Sequence, residues 1–357
     1  MKLFKKQICL DEGFDGNDGG NFVGGENRNM TVKTIKITPF DLFLLLISAV
    51  LFCTAAIDKG YLALIALVLS APIYAVFSYR IGNHFSFFIP LVAYIVGFAV
   101  TKDSVGPTAV VFAAGTSFSI IRAINYCPDR AKSSAVAGSA VSAVISGFAA
   151  LVAMKLQYGI SPKDLLTQFQ GYIDAAKPRL IEAVSSIEPA TLGYAAFEPG
   201  DIPKLVDAMA EQTLYMLPAV LLLSAMILGY ISASFTRTAA KLCGAQKMLD
   251  GVRFEVRLLP VSVFVYFICS LLAIFSDGAV GHALNNISYL LSPGFMICGL
   301  KQVGEIFRRR NYSKAALPFI MAASLVIAAL LPAGLGTTIL VLLGVFYCSR
   351  SNEPYQQ

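Results

Sequence analysis

The chain has 357 residues, 56% of them hydrophobic and 14% charged, with a mean hydropathy of +0.68. A water-soluble domain carries about 25% charged residues, so a chain this long and this poor in charge turns apolar residues toward lipid, which excludes an ordinary soluble enzyme or binding module. The net charge of +6 does not point to nucleic acid either, because the basic residues sit in short loops between apolar runs, where anionic lipid headgroups meet them.

Residues 1–38 are polar, and the stretch 13–29 is so rich in Gly, Asn and Asp that it cannot bury a core; a disordered cytoplasmic tail is expected. No apolar stretch with a small-residue cleavage site follows the initial lysines, so Phe40 should open an uncleaved signal-anchor. Apolar runs then follow at 40–57, 61–78, 85–101, 107–126 and 133–156, forming an N-terminal membrane half over 39–156. A C-terminal half over 213–350 holds the runs 213–236, 258–276, 285–305, 315–331 and 333–348, and 351–357 is a second cytoplasmic tail. A span needs about 20 residues to cross roughly 30 Å of hydrocarbon. The expected fold is therefore all-α, a multi-pass bundle of eight to ten spans in the cell membrane. The last two runs are separate spans or one element broken at Pro332-Ala333-Gly334-Leu335-Gly336.

Charge sets the expected orientation. With the N-terminus inside, Lys59, Lys102, Lys155, Lys163, Lys177, Arg179 and Lys204 fall outside and the other 21 of the 28 Lys and Arg residues inside. That asymmetry places both termini in the cytoplasm. The loop 157–212 is longer and unlike the others, with eight acids: Asp164, Asp174, Glu182, Glu188, Glu198, Asp201, Asp207 and Glu211. Ser161-Pro162 is a helix start, and Leu165, Phe169, Ile173, Ala176 and Leu180 recur at helical spacing behind it. Asp201 should cap a second helix striped by Ile202, Leu205, Val206 and Met209, which runs into the sixth span with Pro218 as a kink. A small helical cap on the outer face is expected.

No constellation demands a particular chemistry, and neither an enzyme nor a cofactor is expected. His84 and His282, the two histidines, sit at opposite membrane faces in this topology and cannot share a metal. The seven cysteines include no C-x-x-C pair and read as reduced structural thiols. Ser146-Gly147 resembles the nucleophile of intramembrane serine proteases, but Val144 stands where that motif has Gly. Gly334-Leu335-Gly336 lacks the strand-to-helix setting of a phosphate cradle. The fifth span is more informative: Ala135, Ser139, Ala143 and Gly147 form a face with almost no side-chain bulk, which lets helices approach closely in lipid. That face packs within the chain or docks a membrane partner subunit. The ionisable groups inside spans are Asp41, Arg122, Lys301 and Glu305, the last two spaced to pair along one helix face. All four lie near an interface, serving as anchors or lining a ligand or ion path.

In the C-terminal half, Leu217-Pro218, the run Phe254-Glu255-Val256-Arg257-Leu258-Leu259-Pro260, Leu291-Ser292-Pro293-Gly294, Gly299-Leu300 and Phe346-Tyr347-Cys348-Ser349-Arg350 together carry a resemblance. Over residues 35–350 the chain resembles the uncharacterised YybS-like membrane proteins of Gram-positive bacteria. That resemblance implies a distant similarity to the substrate-capturing subunits of energy-coupling-factor vitamin transporters and to the cell-shape protein MreD. It implies no site residue, because the family has no established site. The expectation is a non-enzymatic, transport-associated subunit that binds a small molecule; the alternative is an MreD-like scaffold organising envelope machinery. A binding subunit should have a pocket of several hundred cubic ångströms under the outer loop, and a scaffold a filled bundle with an exposed small-residue groove.

Overall fold

The computed structural model describes residues 38–81, 88–185, 199–252, 256, 258–310, 312–313, 315–330 and 335–350, and all the regular structure among them is helical. The two tails, His84, Glu188, Glu198, Arg253, Arg257 and the break at 332–334 lie outside the described residues. Eleven α-helices follow one another: α1 (Pro39–Ile57), α2 (Tyr61–Ile81), α3 (Phe88–Thr101), α4 (Ala109–Tyr126), α5 (Ala131–Tyr158), α6 (Pro162–Ser185), α7 (Ile202–Leu242), α8 (Pro260–Phe275), α9 (Gly278–Arg309), α10 (Leu317–Leu330) and α11 (Leu335–Arg350). Each of the ten apolar runs falls on a helix of its own. Five helical stretches are long and apolar enough to cross a membrane: α1, α2, α4 with the turn before it, α5 with the turn before it, and α7. The apolar helices α3, α8, α10 and α11 are shorter.

Local chemistry explains where the helices begin and end. At α1 the Thr38 hydroxyl accepts from the Asp41 amide at 3.3 Å, and the Asp41 carboxylate accepts from the Thr38 amide at 3.0 Å. Such a box satisfies two of the amide donors that a helix start leaves without partners. Ser161 and Asp164 repeat it at α6, so that start was legible in the sequence. Asp58 caps α2 by accepting from the Gly60 and Ala63 amides. Gly159 ends α5 at φ 70, a left-handed conformation that costs a glycine little.

One expectation for the acidic loop needs correction. Asp201 stands at the N-cap position of α7 but makes no capping bond; its carboxylate takes the Lys204 ammonium at 3.1 Å instead. Pro218 lies inside α7, which continues through it for 41 residues, about 62 Å at 1.5 Å per residue. Helix α6 packs against α7 as the second arm of a hairpin, with Leu165, Phe169 and Ile173 half-buried and Leu180 exposed. Lys177 of α6 fastens this hairpin to Asp207 of α7 at 2.8 Å while also pairing with Asp174 at 2.9 Å. Those two carboxylates, Asp207 first, raise the Lys177 ammonium to about 12.

The remaining helices pack in two groups. In the first, α2 lies against α1, α4 and α7, while α5 lies between α4 and α7. Its core is built largely from alanine: Ala71, Ala75, Ala123, Ala131, Ala135, Ala233 and Ala240 gather around Ile120 and Met248. A neighbouring core joins Phe52, Tyr74, Phe77 and Val110, with the Phe52 and Tyr74 rings edge to face at 5.2 Å. In the second group α9 touches α8, α10 and α11, and Phe295 and Cys298 are buried against Val341, Val345 and Cys348. The closest approach there is Gly299 to Gly344, where a Cβ on either residue would fall against backbone atoms of the other helix. Helices α7 and α9 also touch, which joins the groups.

Non-local polar contacts identify the two ends of the bundle. At one end Arg80 of α2 donates to Asp41 of α1 at 2.5 Å and to the Cys243 carbonyl at the end of α7 at 2.9 Å, with its guanidinium 5.3 Å from the Phe40 ring. At the opposite end Gln157 of α5 accepts from the Ser104 amide at 2.7 Å and donates to the Lys102 carbonyl at 2.6 Å. Asp103 accepts from the Val105 amide at 2.8 Å and pairs with Lys59 at 3.2 Å. That amide bond, more than the Lys59 charge, holds the Asp103 carboxyl below its ordinary range.

Candidate functional site

Near the Arg80 end, between the two helix groups, lies a pocket of about 360 Å³. The first group contributes Lys132 from α5 and Tyr230 from α7; the second contributes Ile297, Lys301, Gly304, Glu305 and Arg308 from α9, Leu317 and Met321 from α10, and Tyr347 from α11. Val256, from the segment before α8, completes the lining. The spacing of Lys301, Glu305 and Arg308 explains why one helix presents all three: positions i, i+4 and i+7 share a face.

Local bonds fix most of the polar groups. The Lys301 ammonium donates to the Val256 carbonyl at 2.9 Å, and the Tyr347 hydroxyl donates to Glu305 Oε1 at 3.3 Å. The Lys132 ammonium stands 3.7 Å from the centroid of the Tyr230 ring, a cation–π contact that orients the charge without neutralising it. Among the described residues, three cations and one carboxylate line the pocket. Positive charge clustered in a cleft favours a negatively charged occupant. Among the described residues no group of three His, Cys, Asp or Glu side chains comes together as a metal site.

A family model described as "Predicted membrane protein (DUF2232)" matches residues 46–346. The chain belongs to the DUF2232 family. No curated protein and no solved structure matches it. The family description establishes a membrane protein and assigns no activity, so the residues of this DUF2232 member must speak for themselves.

The structure divides the residues singled out in the sequence. Lys301 and Glu305 both line the pocket, but each bonds a different partner, and among the described residues no ion pair joins them. Asp41, only 4% exposed, is taken up by Arg80 and the Thr38 cap. Arg122 is exposed and stands apart from both.

The small face of α5 also divides. Ala135 and Ser139 are buried, with Ser139 against Gly229 of α7 so closely that a Cβ on that glycine would overlap it. Ala143 is half-buried, and Gly147 packs against nothing in the chain: a Cβ built there meets no atom within 4 Å. Of the two alternatives for this face, packing within the chain applies to Ala135 and Ser139 and not to Gly147, where the face turns away from α7. Sequence reasoning missed a second small face, where Gly138 and Ser142 of α5 meet Ser119 and Gly115 of α4. The matching signal was there to read, small residues four apart on both helices. Lys132, Tyr230 and Tyr347 were missed as pocket residues because nothing local marks them; only the packing of three helices brings them together.

Proposed function

We propose that this chain is a multi-pass protein of the cell membrane, with both termini in the cytoplasm, that binds a small molecule without chemically transforming it. In this reading it acts as a transport-associated subunit, and its energy or its onward step comes from a membrane partner. The observation that carries the reading is the pocket between the helix groups, whose volume of about 360 Å³ falls in the range of small-molecule sites. Its place differs from the expected one, since it opens near the Arg80 end and not beneath the acidic loop. The distribution of basic residues supports the orientation, and the class is the one that the YybS-like resemblance implies through its distant similarity to energy-coupling-factor substrate-binding subunits. A cysteine replacing Gln246, exposed between α7 and α8, should react only with reagent supplied from the cytoplasm; labelling from outside would overturn the topology.

The binding role is tested by filling the pocket. Met321→Trp places a bulky ring in it and adds the first tryptophan to a chain that has none. Mass spectrometry of the gently purified protein should find a small molecule that the wild type retains and Met321→Trp does not. Equal content in the two proteins would refute the pocket as the binding site. An MreD-like scaffold is the second reading, favoured by the open space over Gly147 beside exposed Val144 and Phe148. A membrane partner that co-purifies with wild type and Met321→Trp alike, and is lost on Gly147→Leu, would support that scaffold instead.

A further inference from the structure

We propose that the pocket is a phosphate-group site, in which Lys132, Lys301 and Arg308 hold the phosphoryl oxygens while Ile297, Leu317 and Met321 receive the aliphatic part of the same molecule. This deepens the small-molecule reading above and rests on it. Charge is the first argument: among the described residues the lining offers three cations and one carboxylate, Glu305, which the Tyr347 hydroxyl engages. Lys132 and Arg308 form no ion pair among the described residues, and their two charges match the one or two negative charges of a phosphate diester or monoester. Positive charge clustered in a cleft attracts an anionic group and repels a cationic one.

Geometry is the second argument. The cations come from both sides of the pocket, Lys132 from α5 and Lys301 with Arg308 from α9, so an anion between them bridges the two helix groups. Among the described residues no carboxylate lies within ion-pair distance of Lys132 or Arg308, and the Tyr230 face holds the Lys132 ammonium in position. Arg308 offers the fork of donors that suits phosphoryl oxygens.

Size and polarity are the third. About 360 Å³ corresponds to roughly twelve water volumes at about 30 Å³ each, far more than the five heavy atoms of a bare phosphate fill. Part of the wall is apolar, from Ile297, Leu317 and Met321. An organic phosphate fits both regions, and basic pockets between helices near a membrane face receive lipid headgroups in this way. The phosphate can arrive on an anionic lipid or on a soluble phosphomonoester, and the two sources can be told apart.

The test uses the full chain, delipidated in detergent. Native mass spectrometry compares phosphatidylglycerol with diacylglycerol of the same chains, and thermal shift follows glycerol 3-phosphate. Wild type should bind at least one phosphorylated probe, and Lys132→Gln combined with Arg308→Gln should weaken it at least tenfold. Arg122→Gln, which removes an exposed cation away from the pocket, should stay within twofold of wild type. A preference for phosphatidylglycerol over diacylglycerol assigns the lipid as the source; stabilisation by glycerol 3-phosphate without that preference assigns a soluble ester. If the double variant melts lower than wild type before any probe is added, Lys132→Gln alone is read instead, with at least a threefold loss expected. Binding of no phosphorylated probe, or equal binding by wild type and the pocket variants, overturns the proposal. A retained molecule that Met321→Trp excludes but that contains no phosphorus also overturns it, while leaving the small-molecule reading intact.

Discussion

Gly344→Ala is the smallest change that tests how α9 and α11 are held together. A methyl group on Gly344 would fall well inside contact distance of the Phe295 carbonyl and at 3.0 Å from the Gly299 amide nitrogen. The obstacle is backbone, so no side-chain rotation relieves it, and the helices must part by about an ångström. Such a gap forfeits a quarter to a half of each dispersion well, and about forty heavy-atom pairs at roughly 0.15 kcal/mol each then lose about 1.5–3 kcal/mol. Forty pairs is about what one buried side chain makes, and Phe295, fully buried at this crossing, supplies such a side chain. The figure agrees with the usual cost of overpacking, about 1–3 kcal/mol. The assay is thermal unfolding in detergent read by a thiol-reactive dye, because Cys298 and Cys348 are buried in this interface and become reactive as it opens. Gly344→Ala should melt clearly below wild type with earlier labelling, and Gly147→Ala, which adds a methyl in open space, should match wild type. Identical melting of Gly344→Ala and Gly147→Ala would refute the close crossing.

Arg80→Ala leaves the buried Asp41 carboxylate without its partner and should cost on the order of 3 kcal/mol in chemical unfolding; Asp41→Asn in the same background should restore part of the loss. The lowered Asp103 carboxyl contributes stability that is present above its ordinary value of 3.8 and lost as pH falls through its lower folded value. Hydrogen exchange in the segment 102–108 should therefore accelerate on strong acidification, and Asp103→Asn should abolish that pH dependence. Lys177, raised to about 12, contributes stability present below its ordinary 10.5 and lost as pH rises through the folded value. Lys177→Ala should loosen α6, seen as faster exchange over 162–185, without lowering the melting of the remaining bundle.

What the sequence revealed was whatever depends on neighbours in the chain. Apolar runs become helices because backbone groups in lipid must find partners within their own segment, so each predicted run coincides with a helix. The Ser161-Pro162 start was legible for the same reason, its partner Asp164 lying three residues away. Asp201 was misread because Lys204, equally close, competes for the same carboxylate. Long-range partners left no such trace. Nothing near Asp41 announces Arg80, 39 residues on, or the Cys243 carbonyl that shares its guanidinium. The small face of α5 was seen as one strip, but a helix between two neighbours needs two, and α4 takes Gly138 and Ser142 while α7 takes Ala135 and Ser139. The pocket is the extreme case, since its cations become neighbours only when α5 and α9 are brought together.

The length of α7 has a mechanical consequence. It is one unbroken rod of 41 residues, gripped by α6 through Lys177 and Asp207 near one tip and by Arg80 through the Cys243 carbonyl at the other. Pivoting such a rod by about 5° around its midpoint swings each tip by roughly 2.7 Å, in opposite directions, given its length of about 62 Å. A hydrogen bond does not survive being stretched that far. A load that tilts the acidic hairpin and α7 as one body therefore reaches the Arg80 clasp at the far end with the sign of the motion reversed.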